Sequence, residues 1–249
     1  MLDFFILIVA AFAGGVLNTI AGGGTFLTFP ALVFVGVPPV MANATATFVA
    51  LPGYVAGVAG FKDEMKSYGR AKTIRLTIIA ALGGAVGALL LSISSNEAFS
   101  AIIPFLLLAA TLIFSFGDQL RNWAVKHSRD VTPEGAAGIF LVSLYGGYFN
   151  GGLGIVFLAL FTMWGMTSIH LMNGLKLWAS STIAIISFFI FAGGGLLDWK
   201  KALIMMVAIS IGGYLGAPLS RALPIRRVKQ FISLTGFVMT AIFLLKLWL

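Results

Sequence analysis

The chain contains no cysteine, and its two histidines, His127 and His170, stand far apart. No disulfide, thiolate nucleophile or cysteine-ligated metal can form, and two distant imidazoles are too few for a metal cluster. Haem and iron–sulfur groups have no evident ligands, so no cofactor is expected. Charge is equally scarce: Asp, Glu, Lys and Arg together make up 10% of 249 residues, where a soluble domain carries roughly a quarter. So few charges cannot cover a water-facing surface, which excludes an ordinary soluble enzyme. Acids are rarest of all, with eight in the chain and none in the middle of an apolar run. A proton relay through buried carboxylates is therefore not expected. The start, Met1-Leu2-Asp3-Phe4, lacks a basic segment. The first apolar run is accordingly read as a membrane helix rather than a secretory signal.

What fills the chain is apolar. Hydrophobic residues make up 59% and mean hydropathy is +1.03, which excludes a disordered chain. A membrane helix needs about 20 apolar residues. Runs of that kind lie at 41–60, 72–94, 97–117, 171–195, 202–220 and 229–249. Two regions differ. Residues 2–36 hold an apolar run, then Gly22-Gly23-Gly24, then a short run ending near Gly36; residues 134–165 hold a similar run, then Gly151-Gly152-Leu153-Gly154, then a short run to Gly165. Both are read as helical hairpins, re-entrant or tilted.

Twelve of the 16 basic residues fall in segments 61–75, 118–133 and 221–229. Basic loops stay on the cytoplasmic side, so the +8 net charge reads as membrane orientation rather than nucleic-acid binding. The lipid bilayer is the partner it implies. With these loops inside the cell, both termini lie outside, and the two hairpins enter from opposite faces of the cytoplasmic membrane.

A repeat runs at about half the chain length. Gly14-Gly15-Val16-Leu17-Asn18 matches Gly146-Gly147-Tyr148-Phe149-Asn150, Asn43 matches Asn173, and Gly83-Gly84-Ala85-Val86-Gly87 matches Gly212-Gly213-Tyr214-Leu215-Gly216. The expected fold is an all-α polytopic membrane protein of two inverted repeats. Residues 1–117 form the first, 118–133 a cytoplasmic linker and 134–249 the second; each repeat is a hairpin plus three transmembrane helices. Inverted repeats with interrupted helices are a transporter architecture, with the site near the midplane where the repeats meet.

Glycine breaks inside an apolar zone must be buried in protein or line a watery cavity. The helix that restarts after each break presents unpaired N–H groups and a positive dipole end. Two such ends facing each other would cradle an anion. The candidate binding residues are therefore Gly22, Gly23, Gly24 and Thr25 at one break and Gly152 and Gly154 at the other. Asn18 and Asn150 lie before the breaks, and Asn43 with Thr45 and Asn173 open the following helices. Close packing through small residues and helix capping by the amides are the alternative readings. Lys176 is the one basic residue well inside an apolar span. An intramembrane lysine is costly and points to function; here it would meet a small anionic substrate, unless it snorkels to the interface. Pro30 and Pro52-Gly53 are expected to kink or end their helices. Trp178 and Tyr54 are grouped with the belt and core aromatics.

Several of these segments together resemble the sulfite exporter TauE/SafE family. They are Gly-Gly-x-x-Asn-Thr-Ile-Ala-Gly-Gly-Gly-Thr at 14–25, Phe-Pro-Ala-Leu at 29–32 and Asn43-Ala-Thr-Ala-Thr47. The second half adds Gly-Gly-x-x-Asn-Gly-Gly-Leu-Gly at 146–154, Asn-Gly-Leu-Lys at 173–176 and Leu-Asp-Trp-Lys at 197–200. The resemblance covers nearly the whole chain. It implies a secondary transporter, exporting sulfite or an organosulfonate, with an anion channel, or an importer or antiporter of another small organic anion, as alternatives. No nucleophile–base pair or metal set argues for an enzyme, and a homodimer is compatible with the sequence.

Overall fold

A computed structural model describes residues 1–21, 23–116, 119, 122–123, 135–222 and 225–248. Most of the expected linker 118–133 thus lies outside the described residues, as does Gly22. Among the described residues the secondary structure is helical: α1 Leu2–Ala21, α2 Thr25–Phe34, α3 Pro39–Ala59, α4 Lys62–Tyr68, α5 Arg70–Ile93, α6 Asn96–Ser115, α7 Ala136–Tyr148, α8 Leu153–Met163, α9 Ile169–Gly193, α10 Trp199–Ala222 and α11 Ile225–Trp248. The six expected spans correspond to α3, α5, α6, α9, α10 and α11. Their ends shift by up to four residues, because capping and turn geometry rather than hydropathy set a helix boundary.

Both hairpins are present, and their second arms are short. α2 has 10 residues and α8 has 11. At 1.5 Å per residue these reach only ~15 Å, about half of a ~30 Å hydrocarbon core. Each arm ends in the same way. Gly36 and Gly165 take positive φ, of 83° and 79°. The next amides, of Val37 and Met166, bond back to Leu32 O and Phe161 O at 3.0 and 3.1 Å. This turn satisfies helix-end carbonyls and favours glycine.

Two sequence expectations change. Segment 61–75 is not an open loop. It holds α4, turned 77° from α3, and Lys72 and Arg75 already belong to α5. Charge in a short segment hides helix from a hydropathy reading. Of the two outcomes expected at Pro30 and Pro52, kinking or ending a helix, the second does not occur: both lie inside helices that continue past them, as membrane helices tolerate.

The packing rests on glycine. A Cβ on Gly15 of α1 would stand 2.1 Å from Ile209 O and 2.7 Å from Gly213 N of α10. A Cβ on Gly87 of α5 would stand 2.1 Å from Leu144 O and 2.7 Å from Tyr148 N of α7. Backbone meets backbone at both crossings, the small-residue packing that membrane helices use in place of hydrophobic association. The motifs that repeat in sequence are thus the ones that touch. α3 and α9 run past each other between these crossings, with Phe48 stacked on Phe188 at 4.7 Å and Gly57 under Leu177. Beside them Phe29 of α2 meets Phe149 edge-on at 5.7 Å and stacks on Phe243 at 5.9 Å. The outward face stays apolar: on α5, Ile74, Ile78, Leu82 and Val86 are all exposed. That is the surface lipid covers.

Candidate functional site

The two hairpin tips come together through one tyrosine. Tyr54 sits about one and a half turns before the end of α3, buried. Its hydroxyl donates to Asn150 Oδ1 at 3.2 Å, and the Thr25 side chain interacts with the same hydroxyl. Thr25 opens α2 and Asn150 precedes α8, so Tyr54 joins the break of the first hairpin to that of the second. Asn18 completes this side. Its Cβ lies 3.1 Å, and its Nδ2 3.4 Å, from where side chains on Gly24 and Gly53 would begin. Gly23 and Gly24 are both buried.

The helix starts themselves are more self-satisfied than a free helix end. The Phe26 amide bonds Gly23 O at 3.2 Å and the Leu27 amide bonds Gly24 O at 3.1 Å. At the other tip Leu153 N reaches Asn150 O at 3.4 Å and Ile155 N reaches Gly152 O at 2.9 Å. Tight i→i−3 turns therefore occupy several amides expected to be open, and the fields of the helix ends act with side-chain donors beside them. Gly152 holds its turn with φ of 71°, a left-handed conformation that a Cβ disfavours. Tyr145 of α7 fastens the same turn by donating its hydroxyl to Gly151 O.

Lys176 lies against this second tip. A Cβ on Gly154 would meet Lys176 Cδ at 3.0 Å, so the missing side chain makes room for the lysine stem along the first turn of α8. The ammonium donates to Asn173 Oδ1 at 2.9 Å, one turn back on α9. An ammonium has three donors. Among the described residues no carboxylate lies within ion-pair distance of Lys176, since Asp198 pairs with Lys201 and Asp63 with Lys66. The lysine is partly buried beside the second tip.

Two candidates stand apart. Thr45 is fully buried and accepts from the Asp198 amide at 3.1 Å, tying α3 to the turn before α10. Asn43 donates to Tyr148 O at 2.9 Å, which holds the end of α7, while its Oδ1 has no partner among the described residues. Gly22 lies outside the described residues. The sequence reading in turn passed over Tyr54 and Tyr145. A hydroxyl in the middle of an apolar span needs a partner, and Tyr54 directly after Pro52-Gly53 was the available signal.

The family model for sulfite exporter TauE/SafE matches residues 6–243. The chain belongs to that family. Several similar proteins carry transporter names. One from Haemophilus influenzae, called a probable membrane transporter protein, is 30% identical over 95% of this chain and 92% of its own length. The ORF9 protein of a Sinorhizobium species, with the same description, is 29% identical over 94% of this chain and 89% of its own. YfcA of Escherichia coli K12, also described as probable, is 26% identical over 95% and 87%. No solved structure matches. This TauE/SafE member is a multi-pass membrane protein of a transporter family, as its residues suggested.

Proposed function

We propose that the protein is a secondary transporter that exports a small sulfur-containing anion, such as sulfite or an organosulfonate, across the cytoplasmic membrane. One observation carries the reading: Lys176, a lysine with no carboxylate partner among the described residues, lies on Gly154 at the start of a half-length helix whose tip Tyr54 joins to the other hairpin. A tetrahedral or pyramidal oxyanion suits such a place. It takes charge from the ammonium, hydrogen bonds from the Asn18 and Asn150 amide NH₂ groups, and field from two helix starts, while Tyr54 and Thr25 hold the tips together.

Inverted repeats account for the packing. α1 crosses α10, and α7, the counterpart of α1, crosses α5, the counterpart of α10; α3 pairs with its own counterpart α9. Each repeat thus lends its first arm to the other, and rocking one repeat against the other would open the joined tips to either side. The basic segments 61–75, 118–133 and 221–229 face the cytoplasm and both termini face outward. A cytoplasm-negative potential drives an anion outward with ~2.3 kcal/mol per charge per 100 mV, so export needs no coupling ion.

The test is uptake of labelled sulfite, sulfoacetate, thiosulfate and sulfate into proteoliposomes, with and without an imposed potential. Saturable uptake with counterflow of one sulfur anion is expected. Flux that does not saturate and shows no counterflow would assign a channel. Export that speeds up when the potential is collapsed would overturn the uncoupled mechanism.

A further inference from the structure

A second feature is a groove whose lining includes no residue of the hairpin tips. The turn between α3 and α4 opens a groove of about 670 Å³ whose walls include Val58, Met65, Ile74, Ile78 and Trp178. The polar groups of these walls are spent within the protein. Trp178 Nε1 donates to Thr77 Oγ1 at 2.7 Å, Thr77 donates to Thr73 O at 2.8 Å, and Thr73 donates to Gly69 O at 3.1 Å. An occupant therefore meets mainly methyl, methylene and ring surface. Basic residues crowd one end: Lys62 and Lys66 of α4 and Arg70 of α5 border the groove. Lys62, Met65 and Lys66 share one face of α4 by their i, i+3, i+4 spacing, while Asp63 and Glu64 do not line the groove. Lys66 bonds Asp63 at 3.1 Å, but both are highly exposed, and such a pair is weak. Along α5 the groove runs from Arg70 to Ile78, ~12 Å. There it merges with the exposed apolar strip of Ile74, Ile78 and Leu82.

We infer that this groove binds an anionic phospholipid, its phosphate held by Lys62, Lys66 and Arg70 and an acyl chain lying over Ile74 and Ile78 beside Trp178. Charge at one end and apolar walls along the rest fit an amphiphile with an anionic head. A free phosphate would leave the walls empty, and a zwitterionic lipid would bring no net charge to the three cations. α4 is anchored on α9, where a Cβ on Gly174 would meet Phe61 Cβ and Met65 Cγ, each at 3.0 Å. The lipid thus borders α9 close to Lys176, but its binding does not depend on which anion is carried.

Purified full-length protein is titrated with phosphatidylglycerol, with phosphatidylcholine of the same chains and with inorganic phosphate. Bound lipid is counted by native mass spectrometry, and thermal stability is followed in parallel. Phosphatidylglycerol is expected to bind about tenfold more tightly than phosphatidylcholine and to resist competition by phosphate. The double variant Lys62→Gln/Arg70→Gln is expected to lose that preference while keeping the wild-type melting temperature without lipid. Equal binding of the two lipids, a preference unchanged in the variant, or full displacement by millimolar phosphate would overturn the proposal. If the variant does not fold, the wild-type lipid and phosphate comparison decides.

Discussion

The proposed reading gives Lys176 the charge and Tyr54 the joint between the tips, and substitution should separate these roles. Lys176→Met removes the charge but keeps a stem that can lie along Gly154. The variant is expected to fold and insert normally and to lose saturable anion uptake in proteoliposomes. Unchanged affinity would move the site elsewhere. Tyr54→Phe keeps the ring and removes the donor to Asn150, a residue only 2% exposed. The expected stability loss is only roughly 1 kcal/mol, as for other hydrogen bonds between membrane helices. Transport should fall about tenfold, what ~1.4 kcal/mol withdrawn from a rate-limiting step would do, measured as initial uptake at saturating substrate. Lys176 was legible in the sequence because a cation in an apolar run is conspicuous. Tyr54 was not, because tyrosine is ordinary in membrane spans and its partner lies 96 residues away. Thr45 illustrates the reverse case. Its place near Asn43 suggested a ligand contact; the fold adds a structural one, since its hydroxyl oxygen accepts from the Asp198 amide.

At the scale of elements, two kinds of helix junction invite measurement. Asp198 caps α10: its carboxylate accepts from the Lys201 amide at 3.0 Å and from the Lys201 ammonium. Partial burial pushes this carboxyl up, but the Lys201 hydrogen bonds and the Lys201 and Lys200 charges hold it below its ordinary range. A carboxyl depressed in the folded state stabilises above its unfolded value of ~3.9, and that contribution is lost as pH falls through the folded value. Asp198→Ala should cost ~1 kcal/mol at neutral pH, and thermal melts of variant and wild type should converge in acid. The glycine crossings are stricter. Gly15→Ala drives a Cβ onto Ile209 O and Gly213 N, and Gly87→Ala drives one onto Leu144 O and Tyr148 N. Backbone cannot rotate away as a side chain can, so each should cost 1–3 kcal/mol or more by overpacking, an estimate of about that order. Gly193→Ala, with nothing within 4 Å, should stay within about 0.5 kcal/mol. Detergent-solubilised melting temperatures rank the three. The spans and glycine breaks were readable because hydropathy and helix-breaking residues are local. α4 was not, because seven residues rich in charge look like a loop until tertiary contacts with α9 fold them.

For the whole molecule, sequence repetition and spatial exchange point to the same arrangement. The repeat motifs could be aligned from the sequence, but which copies touch could not, since each glycine pair is completed by the other half of the chain. What remains to be measured is the direction in which each half crosses the membrane, and the absence of cysteine makes the measurement clean. Any thiol introduced is the only one present, so labelling in intact cells by a membrane-impermeant maleimide reports one position at a time. Ser67 of α4 and Thr167, between α8 and α9, are exposed and lie beside the basic segments or at the foot of the second hairpin. Ser67→Cys and Thr167→Cys should be labelled only after the membrane is opened. Ser94, between α5 and α6, is half-buried and Lys200, at the start of α10, is exposed; both lie at the opposite ends of their helices from Ser67 and Thr167. Ser94→Cys and Lys200→Cys should label in intact cells. Positive charge retained on the cytoplasmic side requires all four results together. If Thr167→Cys reacted from outside while Ser67→Cys did not, the second hairpin would open outward like the first. The halves would then be parallel rather than inverted, and alternating access by rocking inverted repeats would have to be abandoned.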